Sequence, residues 1–223
     1  MTIGCIIQAR SGSRRLKNKI FLKIKEKNLL EILILRLLQS KKINKIIIAT
    51  TNLKSDNKVH KVAKKYKLNS FSGSENNVLK RYYDCAKKFK INTIVRITAD
   101  CPLTDPKLVD NLIDYHFKKK SDYTSNVNPR TFPDGLDIEI LKFSVLKKNI
   151  TKISSSSDLE HVTPYFRRSK KIKKINYKLK KNLSKIRWTI DYKKDYDFIK
   201  KLFKKIKYNI YLNWEEIYKI MLK

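Results

Sequence analysis

Short apolar runs alternate with amphipathic segments along the first half of the chain. Runs rich in β-branched residues predict strands, and segments with apolar residues at helical spacing predict helices. The predicted strands are Ile3–Gln8, Lys45–Thr50, a short one near Ser70, and Thr93–Thr98. The predicted helices between them are Leu29–Leu38, Ser55–Tyr66 and Asn76–Phe89. This alternation predicts βαβ units and a mostly parallel sheet with helices on both faces.

The second half of the chain is less regular. Strands are predicted at Gly135–Leu141 and Ile186–Asp191, and helices near Ser157–Arg168, Lys194–Lys205 and Trp214–Leu222. We find no repeat or linker that would divide the chain. Residues 1–223 are therefore expected to form a single α/β domain, with a regular part at 1–120 and a less regular part at 121–223.

Composition restricts the class of protein. A 223-residue chain with 41% hydrophobic residues can bury a full core. The formal net charge of +33 would favour a nucleic-acid partner. However, the basic residues are mostly Lys and are scattered along the chain, so solvated lysine faces explain the charge better, and no specific nucleic-acid partner is expected.

The three cysteines, Cys5, Cys85 and Cys101, have no metal-binding or disulfide spacing. They are typical of a reducing compartment, so we expect a cytoplasmic protein. No segment reads as a signal peptide or as a membrane span.

A basic loop follows the first strand. Residues 8–19 contain Arg10, Arg15 and Lys19 around Ser, Gly and Ser. Backbone N–H groups and charged side chains of this kind can bind phosphate oxygens. The loop matches neither the Rossmann nor the P-loop fingerprint, and a solvated turn remains an equal alternative.

Three of the four glycines, at positions 12, 73 and 135, fall in predicted loops, where positive φ or a close backbone approach is expected.

Acidic residues end two of the predicted strands. Asp100 follows Thr93–Thr98, and Asp191 ends Ile186–Ile190. Carboxylates at the carboxyl ends of strands can hold a divalent cation beside phosphates, although an isolated Asp there more often caps a helix or a turn. The Pro- and acid-rich loop Arg130–Glu139 and the segment Glu160–Tyr165 name no chemistry by themselves. His161 alone would more often be a packed structural residue.

Together these segments resemble the sugar cytidylyltransferases, a group that includes the acylneuraminate and 3-deoxy-manno-octulosonate enzymes, and above all its spore-coat-polysaccharide branch. The similarity covers nearly the whole chain, in order. The segments that carry it are QARSGSRRLKNK at 8–19, IATT at 48–51, GSENNVLKRY at 73–82, RITADCPLTDP at 96–106, TFPDGLDIE at 131–139, EHVTPY at 160–165 and TIDYKKD at 189–195. The chain departs from the pattern at Lys17-Asn18, Asn76-Asn77 and Leu159.

The resemblance implies a Rossmann-like, glycosyltransferase-A-like fold and the transfer of CMP from CTP to a sugar or a nonulosonate-like sugar acid, for surface polysaccharide. It also implies a Mg²⁺ cofactor and a homodimer, with nucleotide binding in the part at 1–120 and substrate binding and dimerisation in the part at 121–223. The nucleotide would be bound by Arg10, Ser11, Gly12, Ser13, Arg15, Lys19, Gly73 and Ser74. Lys19, Asp100 and Arg15 would be catalytic, Asp100 and Asp191 would hold the metal, and Arg130, Asp134, Glu139 and His161 would contact the substrate.

Other functions remain open at this point. The chain could use a different base or acceptor, or it could be a catalytically silent or nucleic-acid-binding basic protein. Pyrophosphate-releasing turnover separates these alternatives, whereas salt-dependent binding to nucleic acid would report only the positive charge.

Overall fold

A computed structural model describes residues 1–13 and 15–223. The strands are β1 (Ile3–Gln8), β2 (Lys23–Ile24), β3 (Lys27–Asn28), β4 (Lys45–Thr51), β5 (Asn69–Gly73), β6 (Thr93–Thr98), β7 (Tyr123–Ser125), β8 (Glu139–Lys142) and β9 (Lys174–Asn176). The α-helices are α1 (Leu29–Leu37), α2 (Asn57–Lys65), α3 (Val78–Lys88), α4 (Pro106–Lys118), α5 (Phe143–Asn149), α6 (Ser156–His161), α7 (Pro164–Arg168), α8 (Lys193–Lys205) and α9 (Trp214–Leu222).

Seven strands form one sheet in the order β5-β4-β1-β6-β8-β7-β9, and β2 and β3 form a separate hairpin. The strands from β5 to β6 are parallel, β8 is antiparallel to β6 and β7, and β9 is parallel to β7. The chain leaves β1 towards β4 on one side and later returns to β6 on the other. The order therefore reverses between β1 and β6, and a crevice opens there at the carboxyl ends of the strands.

The sheet separates two apolar cores. Cys5 and Ile7 of β1 face the core that holds α1, α2, α4, α8 and α9. Ile6 faces the opposite core, which holds α3, α5 and α7. The continuous apolar runs of the central strands arise because both of their faces are covered, which confirms the predicted α/β class. None of the described helices is long and apolar enough to cross a membrane.

Four helices end in the same way, with a lysine where glycine is usual. Lys67, Lys90, Lys120 and Lys207 follow the last residues of α2, α3, α4 and α8 and have φ between 49° and 54°. Each lysine N–H and the N–H after it bond back to the helix, as in Leu68 N–H to Ala63 O at 2.9 Å. This hydrogen-bond pattern is the Schellman motif, whose left-handed residue is most often Gly.

Of two strands predicted in the second half, one is shorter than predicted and the other does not form. The segment Gly135–Leu141 becomes a strand only from Glu139, in β8. The segment Ile186–Asp191 forms no ladder, and only Arg187 makes an isolated bridge, to Asp134. The apolar alternation there instead buries Trp188 and Ile190 from a loop. The predicted helix near Ser157–Arg168 is two short helices, α6 and α7, separated at Val162–Thr163.

The predicted glycine geometry holds at two of the three positions. Gly135 has φ of 112°, and a Cβ there would lie 2.5 Å from the backbone N of Thr189. A Cβ on Gly73 would lie 2.9 Å from Cγ of Arg81. Gly12 was expected to behave alike, but its φ is not positive and a Cβ would meet no described atom within 4 Å. The prediction for Gly12 is therefore wrong, because the fold does not require a glycine at this position.

Candidate functional site

A cleft of about 880 Å³ opens at the carboxyl ends of β1 and β6, where the strand order reverses. The loop after β1, the loop after β5, the end of β6 and the helix α6 line it. Of the residues predicted to act in catalysis or binding, those lining the cleft are Arg10, Gly12, Ser13, Arg15, Lys19, Ser74, Asp100 and His161. The fold thus gathers residues from distant segments around one cavity large enough for a nucleotide.

The loop after β1 is held from beneath by Asp56. Its carboxylate accepts a hydrogen bond from the N–H of Ser11 at 2.7 Å and another from the hydroxyl of Thr51. Burial would raise the pKa of Asp56, but these bonds outweigh it and hold the pKa below its usual value. Ser11 is buried against this anchor, whereas Ser13 and Arg10 reach the cleft. Arg14 lies outside the described residues.

Lys19 lies between the two acids that were predicted to hold a metal. Its ammonium donates to Asp100 Oδ2, Asp191 Oδ1 and the carbonyl oxygen of Ile190, each at 2.9 Å. Burial opposes the charge of Lys19, but the two carboxylates outweigh burial and raise its pKa. Burial likewise raises the pKa of Asp100, but the charge of Lys19 reverses the effect and lowers it. The ammonium therefore neutralises two carboxylates that would otherwise repel each other.

Asp191 is the most heavily paired acid of the site. Besides Lys19, it accepts from Arg15 at 2.5 Å and from Arg187 at 2.9 Å. The Arg15 guanidinium is about half exposed and lies 5.2 Å from the ring centre of Tyr192. Three cations thus surround one carboxylate, and Arg15 is the one most free to leave it for another anion.

The loop after β5 is shaped by its own polar side chains. Ser74 Oγ accepts from the N–H of Asn77 at 3.0 Å, and Asn77 caps α3 by accepting from the N–H of Lys80 at 2.8 Å. Asn77 therefore has a structural function at this departure from the family pattern. Beneath Gly73 lies the wholly buried Arg81, whose guanidinium nitrogens have no hydrogen-bond partner among the described residues.

Glu139 does not contact the cleft, which corrects its prediction as a substrate ligand. It is buried and accepts from Arg96 and Arg167, each at 2.6 Å, and from the hydroxyl of Tyr123. Burial would raise the pKa of Glu139, but the two arginine charges outweigh it and lower the pKa. With its oxygens occupied, Glu139 holds Arg96, which does line the cleft.

Arg130 and Asp134, also predicted to bind substrate, lie outside the lining of the cleft. Arg130 forms a two-bond ion pair with Asp137, and Asp134 accepts from Arg187 at 2.7 Å. Because Arg187 also donates to Asp191, this cluster helps to hold the Asp191 carboxylate in place. Burial raises the pKa of Asp134.

His161 is the one predicted substrate residue that lines the cleft. It ends α6, beside Glu160, whose carboxylate is 4.0 Å from the guanidinium of Arg10 across the cleft. Glu160 and Arg96 were not predicted as site residues. Arg96 shares a face of β6 with Thr98, so the period-two alternation of the strand was the signal that could have found it.

The chain matches the family model described as Cytidylyltransferase over residues 4–217. It is 41% identical over 199 residues to an uncharacterised protein of Methanocaldococcus jannaschii, covering 88% of this chain and 81% of that protein. It is 34% identical over 209 residues to the spore coat polysaccharide biosynthesis protein SpsF of Bacillus subtilis, covering 90% of this chain and 85% of that protein.

The fold is similar to a solved structure of a cytidylyltransferase from Leptospira borgpetersenii. The TM-score is 0.94 with 34% sequence identity, and the match covers 99% of this chain and 94% of that chain. The similarity therefore includes the irregular second half as well as the regular first half.

Proposed function

Because the chain belongs to the cytidylyltransferase family, we propose that it transfers CMP from CTP to a hydroxyl of a sugar or sugar acid, with release of pyrophosphate, in the synthesis of a polysaccharide. One observation carries the proposal most directly. Three cations of the loop after β1, Arg10, Arg15 and Lys19, line the same cleft as the strand-end acid Asp100. This arrangement suits a polyphosphate bound beside catalytic carboxylates.

The proposed reaction is a displacement at the α-phosphorus of CTP. The acceptor hydroxyl gives its proton to solvent as its oxygen forms a bond to the α-phosphorus. The bond from that phosphorus to the oxygen shared with the β-phosphate breaks, and its electron pair leaves with pyrophosphate. Negative charge grows on the phosphate oxygens, and Arg15 and Lys19 are placed to stabilise it. Both must first leave Asp191, to which they donate at 2.5 and 2.9 Å.

We further propose that Asp100 and Asp191 hold Mg²⁺. The fit is supported by the donor set, because Lys19 already sits among two carboxylate oxygens and the Ile190 carbonyl oxygen, which are hard ligands. Among the described residues, no three acidic, His or Cys side chains gather into a metal group. Nucleotide oxygens would therefore have to complete the site. When bound, Mg²⁺ would neutralise charge on the phosphates.

Manganese binding tests the metal proposal without turnover. Free Mn²⁺ is measured by electron paramagnetic resonance in wild type, Lys19→Met and Asp100→Asn, with and without CTP. Without CTP, Lys19→Met should bind Mn²⁺ roughly tenfold more tightly than wild type, because it leaves the two carboxylates unpaired. With CTP, Asp100→Asn should bind it more weakly. Equal binding by wild type and Asp100→Asn would contradict the metal assignment.

The proposed activity is tested by a pyrophosphate-release screen of the four nucleoside triphosphates against neutral and acidic sugars. We expect release only with CTP plus an acceptor, and none from Asp100→Asn. Release with another nucleotide would favour the alternative of different base specificity. No release with any pair, from protein that binds CTP, would favour a catalytically silent member of the family.

Two further proposals concern the setting of the enzyme. We propose a homodimer, which light scattering tests, since a species of 26.5 kDa at high concentration would contradict it. Phe166 is buried in the core and so cannot form an apolar contact between two copies. We also propose the cytoplasm as its location, which is supported by three free and buried cysteines.

A further inference from the structure

Val162 has a backbone conformation that branched residues almost never adopt. Its φ is 70° and its ψ is −51°, and the N–H of Thr163 donates to the carbonyl oxygen of His161 at 2.8 Å. This is the rare γ-turn with positive φ at its centre. Several other described residues have positive φ, but Val162 is the only β-branched one among them. Steric crowding makes such a conformation an outlier for a β-branched side chain.

Neighbouring contacts hold the strained turn in place. The Val162 side chain is buried in the core beside α3, and its N–H closes α6 by donating to Asp158 O at 2.9 Å. Asp158 is itself buried and forms a two-bond ion pair with Arg168 of α7. These contacts connect α6 to α7 on both sides of the turn. Strain of this kind persists only where the surroundings enforce it, and it is concentrated at functional sites.

The turn sets the position of one wall of the cleft. The helix α6 has only six residues and would not be stable alone. Its residues Ser156, Leu159 and Glu160 share one helical face and line the cleft, and His161 follows immediately before the turn. The loops after β1 and β5, which we assign to the nucleotide, line the same cleft, and Glu160 lies 4.0 Å from Arg10 of the first loop. We assign α6 to the acceptor because His161, at its end, is the one predicted substrate residue that lines the cleft.

We propose that Val162 is a positioning residue, whose strained γ-turn holds His161 and Glu160 against the acceptor half of the cleft. This proposal rests on the proposed function in one respect, since an acceptor is present only if the chain transfers CMP to a sugar. The strain and its effect on His161 do not depend on that function and are measured separately.

The strain is tested by comparing Val162→Gly with Val162→Ala. Both lose the two methyl groups of valine, and glycine also loses Cβ, but only glycine tolerates this φ without cost. The urea midpoint of the glycine variant should therefore equal or exceed that of the alanine variant. Val109, buried in the regular helix α4, is the matched control, and there glycine should have the lower midpoint. A lower urea midpoint for the glycine variant than for the alanine variant at both positions would contradict the proposed backbone strain at Val162.

Positioning is tested through the histidine resonances. The chain has only three histidines, so ¹³C labelling at Cε1 gives three signals, and His161→Gln assigns one of them. Val162→Gly should shift or broaden the His161 signal and leave those of His60 and His116 in place. The Kd for CTP should stay within about twofold of the wild-type value, because the loops after β1 and β5 are unchanged. An unmoved His161 signal overturns the proposal.

Turnover then separates positioning from the proposed function. With the sugar that supports pyrophosphate release in wild type, Val162→Gly should raise the KM for that sugar about tenfold and leave the KM for CTP unchanged. Equal rises in the KM for the sugar and the KM for CTP would overturn the assignment of α6 to the acceptor half of the cleft. If wild type releases no pyrophosphate with any sugar, the proposed function fails, while the midpoint and resonance tests still decide the strain and its effect on His161.

Discussion

Two clusters of arginine and carboxylate lie at the carboxyl side of the sheet, and they differ in exposure. Around Glu139, Arg96 and Arg167 form a cluster in which the acid is 2% exposed. Around Asp191, the acid is 13% exposed and one of its partners, Arg15, is 54% exposed. Similar chemistry therefore occurs once inside the protein and once at the edge of the cleft.

The difference indicates separate functions. Charges in the buried cluster cannot regain water if a partner is lost, so they fix the shape of the cleft floor. In the Asp191 cluster Arg15 is half exposed, so it can exchange this carboxylate for another anion at lower cost. We therefore propose that one ion-pair network stabilises the structure and that the other exchanges partners when a ligand binds. Each of the following variants affects one side of this comparison.

The largest expected effect is loss of stability in Glu139→Gln. Removing the charge leaves the largely buried Arg96 and the partly exposed Arg167 without their acid, which should cost about 3–5 kcal/mol of unfolding free energy. The control is Asp197→Asn, which removes an exposed pair with Lys193 and should cost under about 1 kcal/mol. Urea denaturation measures both. Similar small losses in the two variants would show that burial does not distinguish the clusters.

The second effect is loss of rate in Asp100→Asn. We expect single-turnover product formation to fall by roughly 100- to 1000-fold with a much smaller change in CTP affinity, because the acid acts as charge develops in the transition state. Addition of Asp191→Asn should lower the rate little further, since both acids act as one unit. Asp84→Asn, which removes an exposed pair with Lys80, is the control. A near-normal rate for Asp100→Asn would exclude it from catalysis.

The third effect is weaker nucleotide binding in Arg15→Ala and Lys19→Ala. Loss of a charge-assisted phosphate contact should cost about 1.5–3 kcal/mol, with the fold intact. Lys17→Ala provides a matched control in the same loop, because Lys17 is exposed and does not line the cleft. Isothermal titration with CTP measures the three affinities. If Lys17→Ala weakens binding as much as the other two, general charge rather than position attracts the nucleotide.

The fourth effect is a pH dependence of the buried cluster. Burial opposes ionisation of Glu139, but the two arginines hold its folded pKa below the ordinary value of 4.5. The unfolded chain therefore binds the proton first, and the stabilisation is complete above about pH 4.5 and lost as pH falls through the folded value. As pH falls through that range, the difference in unfolding free energy between wild type and Glu139→Gln should decrease by at most about 1.4 kcal/mol per pH unit. A gap that stays constant down to pH 3 contradicts this explanation.

The regular half of the fold was predictable because its strands are buried on both faces. The strands β1 and β6 have the predicted bounds, Ile3–Gln8 and Thr93–Thr98. The helix α4 was not predicted, although Asp105 caps it and Pro106 begins it, which are ordinary start signals. The strands β7 and β9 have three residues each, too few to show a period of two.

The site could be predicted where a motif and a strand end coincide. Asp100 and Lys19 meet because the carboxyl ends of parallel strands share one edge, so their meeting follows from the fold class. The positions of Glu139, Arg130 and Asp134 could not be read in this way. Each belongs to an acid-rich loop, and only tertiary packing decides which acid reaches the cleft and which binds a neighbouring arginine.

The lysines that end α2, α3, α4 and α8 make this chain a good starting point for engineering. Each holds a left-handed conformation that disfavours a side chain, so Lys→Gly at positions 67, 90, 120 and 207 should each raise the unfolding free energy by up to about 1 kcal/mol. None of the four residues lines the cleft. Thermal melting and pyrophosphate release together would show whether heat tolerance rises at unchanged activity, as expected of substitutions confined to helix ends.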